Sequence, residues 1–218
     1  LSLHDALPIY LTLDEATLEV RERVTRLERV EVAANLRHDH LEAHISEASL
    51  AAVLEGAVDA HAPDSSTSGV SIPFHRELAF SFRLAQHLKV QREAVRGKPE
   101  TFNRPDFNFK LEGRDGTQEE PPHGAETVLI SQRRRGSPLD LLVAELMILA
   151  NSSWGAWLAE LGVPGIYRSQ ASLAPGIKVR MGTKPAPHAG MGVSHYTWAS
   201  SPLRRYVDLV NQWQIIAC

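Results

Sequence analysis

Cysteine is almost absent from this chain of 218 residues, because Cys218 is the single example and is also the last residue. One thiol cannot form an internal disulfide, which is typical of proteins from reducing compartments. Uninterrupted apolar runs are short, and none approaches the roughly 20 residues that a helix needs to cross a bilayer. The first residues do not show the basic segment followed by an apolar segment that is typical of a signal peptide. We therefore expect a cytoplasmic protein.

The chain also lacks a net positive charge. Its formal net charge of -3 gives no support for nucleic-acid binding through overall electrostatics, so any basic surface must be local. Arginines do cluster, at positions 133–135 and at Arg204 and Arg205, although a solvated charged face is the alternative interpretation. With 43% hydrophobic and 22% charged residues, the composition is that of a globular protein with one or two domains.

The most informative stretch is YTWASSPLRRYVDLVN, residues 196–211. Ser200 and Ser201 precede Pro202, and a serine cap followed by proline is typical of a helix start. The pattern predicts a helix over 202–217 with Arg204 and Arg205 in its first turn. Unpaired backbone N–H groups and the helix dipole would make that turn a phosphate site, whereas the alternative is a surface ion pair between Arg204 and Asp208.

Three further regions have clear patterns. Apolar periodicity predicts a helix near 73–96 that stops at Gly97, and Ser137 followed by Pro138 predicts another over 138–161. Alternating apolar residues predict strands between 102 and 132. In the N-terminal half, a charged helix over 14–29 competes with a hairpin on periodicity alone.

SPLRRYVDL resembles the SP(I/L)R(R/K)Y-x-D-(L/M) motif of the RNB family, the 3′-to-5′ exoribonucleases of ribonuclease II and ribonuclease R type. Three upstream segments follow the family's order. FNRPDFNFKL, VAELMILAN and LGVPGIYRSQ are similar to its F-x-x-P-x-(F/Y)-x-F-x-L, IEE-x-M-x-x-AN and G-x-P-x-(I/L)YR-x-H segments. Four ordered matches are far more specific than one short motif.

The resemblance implies an α+β fold, in which mixed β-strands of a partial RNB-type catalytic domain pack against several long helices. It favours the hairpin over the helix in the N-terminal half. Residues 10–218 would be the C-terminal portion of that domain, truncated at both ends. Residues 1–9 match nothing in the family, and we interpret them as a non-native leader.

The resemblance also implies site residues. Arg204 matches the arginine that neutralises the scissile phosphate, and Ser201 and Arg205 belong to the same substrate-binding motif. Phe102 matches a phenylalanine that packs against bases near the 3′ end, although a core aromatic is the alternative. Glu145 matches an acid associated with holding ribose, and Ala144 stands where the first acid of that pair is usual.

The family's metal-binding aspartate motif, similar to D-x-x-T-x-D-(I/V)-DDA, is missing from this sequence. The resemblance therefore implies Mg²⁺ in the full-length enzyme, with ligands outside this chain, and we expect residues 1–218 alone to be inactive. The expected activity is hydrolysis of single-stranded RNA to nucleoside 5′-monophosphates by a monomer that binds neither DNA nor membranes. The alternative is a non-catalytic RNA-binding or scaffold protein that retains the fold.

A histidine cluster suggests a third interpretation. His38, Asp39, His40 and His44 lie within seven residues, and His40 and His44 are one helical turn apart. A catalytic zinc needs three protein ligands and supporting contacts around them. A solvated helix is the alternative.

Overall fold

The computed structural model describes residues 5–56, 72–100, 106–112, 124–133 and 136–218. Within these ranges the helices are α1 His38–Leu41, α2 Glu47–Leu54, α3 His75–Arg96, α4 Pro138–Glu160 and α5 Tyr206–Ala217. The strands are β1 Asp5–Ala6, β2 Ile9–Leu13, β3 Val20–Thr25, β4 Glu28–Arg29, β5 Asp106–Glu112, β6 Thr127–Arg133, β7 Tyr167–Ser169 and β8 Arg180–Gly182. They form the antiparallel pairs β1–β4, β2–β3, β5–β6 and β7–β8. The predicted α+β class is confirmed.

The first core lies between α2, α3 and α4. Its buried residues include Leu50, Ala79, Phe82 and Leu142, which are 9% exposed or less. The start of α4 and the end of α3 lie where their sequences predict, whereas α3 begins at His75, two residues after the predicted start. Ser137 accepts a hydrogen bond from the backbone N–H of Asp140 (3.1 Å) at the start of α4, and Gly97 ends α3 in the left-handed conformation with φ 72°. Glycine adopts that conformation without steric cost.

The second core joins the C-terminal half of α4 to β7 and α5. Trp154 and Leu158 on α4 pack with Tyr167, Ala199 and Ile215, which are all at most 5% exposed. This core fixes the segment 196–201 between two helices. The candidate functional residues therefore stand on a rigid support.

The N-terminal half contains the hairpin rather than the charged helix. Strands β2 and β3 pair from Ile9 opposite Thr25 to Leu13 opposite Val20. Strand β1 pairs with β4, and Leu7 and Ile9 contact the second core. The interpretation of residues 1–9 as a non-native leader stays a prediction.

The predicted strand pair between 102 and 132 is present as β5 and β6. Phe109 faces Ile130 and Leu111 faces Val128 across this hairpin, so the alternation places their side chains on one face. Phe109 is 70% exposed and Ile130 is 63% exposed. The hairpin thus presents an apolar face to its surroundings in the described part of the chain.

The predicted start of the last helix is wrong by one turn. Helix α5 begins at Tyr206, and residues 202–204 form a turn instead. The backbone N–H groups of Arg204 (3.2 Å) and Arg205 (3.1 Å) both donate to the carbonyl of Ser201. Arg205 is extended (φ -133°, ψ 115°), which separates the turn from the helix. Arg204 and Arg205 therefore lie ahead of the helix and not within its first turn.

Helix α4 is long and apolar enough, by length and composition, to cross a membrane. Uninterrupted apolar runs do not indicate this, because polar residues such as Glu145 and Asn151 divide the apolar positions of α4. Core helices of water-soluble proteins meet the same criterion. Both cores use residues of α4, and the helix carries the buried polar residues Glu145 and Asn151. Its composition is that of a central core helix.

Candidate nucleic-acid interface

A buried asparagine on α4 fixes one side of the segment 196–201. The side chain of Asn151 accepts a hydrogen bond from the backbone N–H of Ala199 (2.9 Å) and donates to the hydroxyl of Ser200 (3.1 Å). Its backbone carbonyl accepts from the hydroxyl of Thr197 (3.0 Å). Asn151 is 1% exposed, so these contacts satisfy polar groups that water cannot reach.

A second buried amide, on α5, fixes the other side. Asn211 accepts from the backbone N–H of Ile166 (2.7 Å) and donates to the carbonyls of Ile166 (3.0 Å) and Trp198 (2.8 Å). Gln212 donates to the carbonyl of Ala199 (2.7 Å). Hydrogen bonds from both helices thereby hold the backbone from Trp198 to Ser200, which restricts the movement of this segment.

Asp208 anchors the turn that carries the two arginines. Its carboxylate is fully buried and accepts from the backbone N–H of Ser201 and from the guanidinium of Arg205, both at 2.8 Å. The alternative pairing of Arg204 with Asp208 is therefore wrong, since Arg205 takes that position. The hydroxyl of Ser201 is 3.5 Å from the guanidinium of Arg204, which is a weak contact.

Arg204 itself is exposed to solvent. In the described part of the chain its guanidinium forms no salt bridge, and the long contact with Ser201 is its one side-chain hydrogen bond. A guanidinium on an anchored turn, with most of its N–H donors unpaired in the described part of the chain, is suited to binding an anion. Its predicted role at a phosphate stays a prediction, although the expected support from a helix N-terminus is absent.

Two arginines lie against one indole ring beside this turn. The guanidinium carbon of Arg168, in β7, is 4.1 Å from the ring centroid of Trp198, and that of Arg205 is 4.5 Å away. Burial lowers the pKa of Arg168, the nearby Tyr196 partly offsets this, and the charge of Arg205 lowers the pKa further. Sequence reasoning missed both Arg168 and Trp198. Arg168 lies within the LGVPGIYRSQ segment, but sequence spacing alone does not show that this segment meets Trp198.

Glu145 is buried with a partner. Both of its carboxylate oxygens accept hydrogen bonds from Arg92 on α3, one of them over 2.8 Å, and the two side chains are 2% and 7% exposed. Arg92 also donates to the carbonyl of Met191 (2.7 Å) and to Glu100 (3.0 Å). Burial alone would lower the pKa of Arg92, but the two carboxylates outweigh it and hold the pKa above its ordinary value.

This ion pair borders a cavity of about 300 Å³ between β3, α3, α4 and residues 192–194. Glu145 is therefore tied into the packing of two helices, and its predicted contact with ribose stays a prediction. Phe102, the predicted base-stacking residue, lies outside the described residues. So do Arg134 and Arg135 of the basic cluster, while Arg133 ends β6.

The histidine cluster is arranged differently from the predicted zinc site. The structure brings together His38, Glu42 and Asp140, whose nearest ligand atoms lie within 4.8 Å of one another. Glu42 is 3.4 Å from Nδ1 of His38, whereas Asp140 is 3.3 Å from Nε2 on the opposite side of the ring. One ion cannot use both nitrogens of one ring, so this geometry suits two separate side-chain contacts better than a chelate. His40 and His44 are not members of the group.

The family model for the RNB domain matches residues 40–177 and 176–218. These two matches together cover most of the chain, so it belongs to the RNB domain family, as the motifs predicted.

An uncharacterized ribonuclease of Synechocystis sp. is 35% identical over 98 residues, covering 35% of this chain and 15% of that protein. RNase R of Mycoplasma genitalium, in complex with double-stranded RNA, has a TM-score of 0.63 at 12% identity, covering 95% of this chain and 40% of the other. The Dss1 exoribonuclease of Candida glabrata has a TM-score of 0.56 at 20% identity, covering 93% and 27%. The chain thus shares the fold of the two solved structures and spans at most 40% of the length of each of these three relatives.

Proposed function

We propose that this chain is the part of a 3′-to-5′ exoribonuclease that grips single-stranded RNA next to the bond that is cut. The observation that carries the proposal is the exposed guanidinium of Arg204, which has no carboxylate partner in the described part of the chain. It stands on a turn that Asp208 anchors through Ser201. Membership of the RNB domain family supports RNA as the substrate class.

Hydrolysis at the 3′ end requires charge neutralisation at phosphorus. Water attacks the terminal phosphodiester, and the bond from phosphorus to the 3′ oxygen of the preceding nucleotide breaks. The products are a nucleoside 5′-monophosphate and a shortened strand with a 3′-hydroxyl. Negative charge grows on the non-bridging oxygens, and a guanidinium held in place before the reaction stabilises it. We assign that role to Arg204.

The resemblance also implies Mg²⁺, which would activate the attacking water and bind the phosphate oxygens. The residues around Arg204 do not fit a metal ion. Arg168 and Arg205 are cationic, and Asp208 is fully buried, with its Oδ1 accepting from both Ser201 and Arg205. We therefore propose that the metal ligands lie in a longer protein and that residues 1–218 alone do not cut RNA.

The first test measures binding of a labelled oligoribonucleotide to the chain by fluorescence anisotropy at several salt concentrations. Because each lost phosphate contact removes about 0.7 from the salt slope, Arg204→Gln should weaken binding about fivefold at ~0.1 M salt. Arg76→Gln is the matched control, since Arg76 is an exposed arginine at the start of α3. Equal binding by the two variants would contradict the assignment of Arg204.

A second measurement addresses catalysis. Incubation of the purified chain with RNA and Mg²⁺ should leave the RNA intact. Degradation that requires Mg²⁺, survives further purification and is lost in Arg204→Gln would show that the metal ligands lie within these 218 residues after all.

One observation favours the alternative of a non-catalytic RNA-binding protein. Ala144 precedes Glu145 on α4 and supplies no carboxylate, although the family's motif has an acid there. The sequence of the encoding gene separates the two functions. An aspartate-rich segment encoded upstream in the same reading frame supports the enzyme, whereas a start codon directly before residue 1 supports the binding protein.

A further inference from the structure

Arg168 is a partly buried cation with open hydrogen-bond donors. The backbone of Arg168 is fixed, because its N–H donates to the carbonyl of Tyr196 (2.8 Å) and because Arg168 in β7 lies opposite Met181 in β8. In the described ranges, its guanidinium contacts the ring of Trp198 but has neither a carboxylate partner nor a hydrogen-bond acceptor. Five N–H groups are therefore presented at a fixed position.

A cation in this setting is costly unless an anion compensates it. Contact with an indole face stabilises a guanidinium by about 0.5–2 kcal/mol, but it accepts none of the in-plane N–H bonds. The nearby acid, Asp208, already binds Ser201 and Arg205. Arg205 adds repulsion to Arg168 instead of compensating it. The charge at Arg168 is thus left without a counterpart in the described part of the chain.

Arg205 offers an independent second observation. Its Nε is buried and has no hydrogen-bond partner in the structure, although its Nη2 binds Asp208. Trp198, which both guanidinium groups contact, is held through its carbonyl by the fully buried Asn211. The buried Nε is closed to a ligand, but Nη1 of Arg205 also forms no hydrogen bond in the described ranges and is not enclosed. Arg168 and Arg205 therefore present unpaired donors beside one immobile ring, and a group with several acceptor oxygens would bind both.

We propose that Arg168 and Arg205, supported by Trp198, bind a phosphate group that is distinct from the one assigned to Arg204. The occupant is a phosphodiester of the RNA strand, so this inference rests on the proposed function and deepens it. The pair would hold a neighbouring phosphate while Arg204, which precedes Arg205 directly, acts at the scissile one. Arg168 is a phosphate-binding residue in this arrangement and takes no part in the chemistry.

The first experiment uses inorganic phosphate as the probe, so that it does not depend on RNA binding. Two-dimensional NMR of the arginine Nε–H groups of the whole chain should show signals for Arg168 and Arg205 that shift on addition of phosphate. The variants Arg168→Gln and Arg168→Lys identify the Arg168 signal by its loss. In both variants the phosphate-dependent shift of the Arg205 signal should decrease. No phosphate-dependent shift of either signal would overturn the proposal.

The second experiment uses RNA and separates this inference from the proposed function. Arg168→Gln should weaken binding of the oligoribonucleotide about fivefold at ~0.1 M salt and reduce the salt slope by about 0.7, whereas Arg168→Lys should retain the slope. Arg76→Gln is again the matched control. RNA binding that Arg168→Gln leaves unchanged would overturn the inference and leave the proposed function standing.

If the unsubstituted chain binds phosphate at these arginines but no RNA, the proposed function fails, and the RNA strand as occupant fails with it. If Arg168→Gln does not fold, the NMR titration of Arg168→Lys decides the question.

Discussion

Asp208→Asn tests whether the buried carboxylate determines the geometry of the arginine turn. The substitution keeps the shape of the side chain and an acceptor for the Ser201 N–H, but it removes the charge that pairs with Arg205. Hydrogen bonds with a charged partner contribute about 1.5–3 kcal/mol and neutral ones about 0.5–1.5 kcal/mol. Converting both bonds should therefore destabilise the chain by about 2–3 kcal/mol. Arg205 keeps its contact with Trp198, so the destabilisation should be smaller than the cost of leaving a buried charge without any partner.

Thermal unfolding followed by circular dichroism measures this effect. For a chain of this size, about 1 kcal/mol corresponds to ~2–4 °C in Tm, so the expected decrease is about 4–12 °C. Glu160→Gln is the matched control, because it removes the same charge from an exposed residue with no side-chain partner in the described ranges. If the two variants had the same Tm, Asp208 would not anchor the turn, and the preorganisation of Arg204 would lose its physical basis.

Two further predictions concern other buried polar groups. Glu145→Gln should lower the free energy of unfolding by about 3 kcal/mol, because the buried Arg92 then faces a neutral amide in place of a carboxylate. Denaturant titration checks this, and an unchanged midpoint would contradict it. Burial lowers the pKa of His188, and Arg168 lowers it further. Since the folded-state pKa is depressed, the stabilisation is present above the unfolded pKa of about 6.5 and is lost as pH falls through the lower folded value. At pH values below about 6.5, the Tm of the chain should thus decrease with falling pH more steeply than the Tm of His188→Gln. Parallel pH profiles would refute the lowered pKa of His188.

Local signals in the sequence predicted the elements that depend on local chemistry. The start of α4 follows from the Ser137 cap and Pro138, and the end of α3 follows from Gly97. The family motifs also predicted the hairpin β2–β3, for which periodicity alone was ambiguous. The residues that determine the two helix ends lie within a few positions of those ends. For the hairpin, the resemblance to the family decided between helix and strands.

The start of α5 was predicted wrongly for a physical reason. Ser201 followed by Pro202 is a good local helix start, but the carboxylate of Asp208 reaches back seven residues and takes the backbone N–H of Ser201. The carbonyl of Ser201 then accepts from both Arg204 and Arg205, so the chain completes a separate turn before the helix begins. A contact between a fully buried carboxylate and a backbone amide is tertiary in origin, and local propensity does not predict it.

The proposed phosphate sites also imply that the overall charge of this chain is a poor guide to its ligands. The formal net charge is -3, yet Arg168 and Arg205 lie on one ring next to the exposed Arg204, and within the described residues the carboxylate bound to this group is that of Asp208. At physiological ionic strength the Debye length is about 8 Å, so acids elsewhere on the surface contribute little to the potential at these guanidinium groups. Two guanidinium charges with no acid partner in the described part of the chain therefore outweigh a chain-wide excess of three acids. An anionic strand would be attracted to this turn by local geometry alone, and binding should weaken steeply as salt increases.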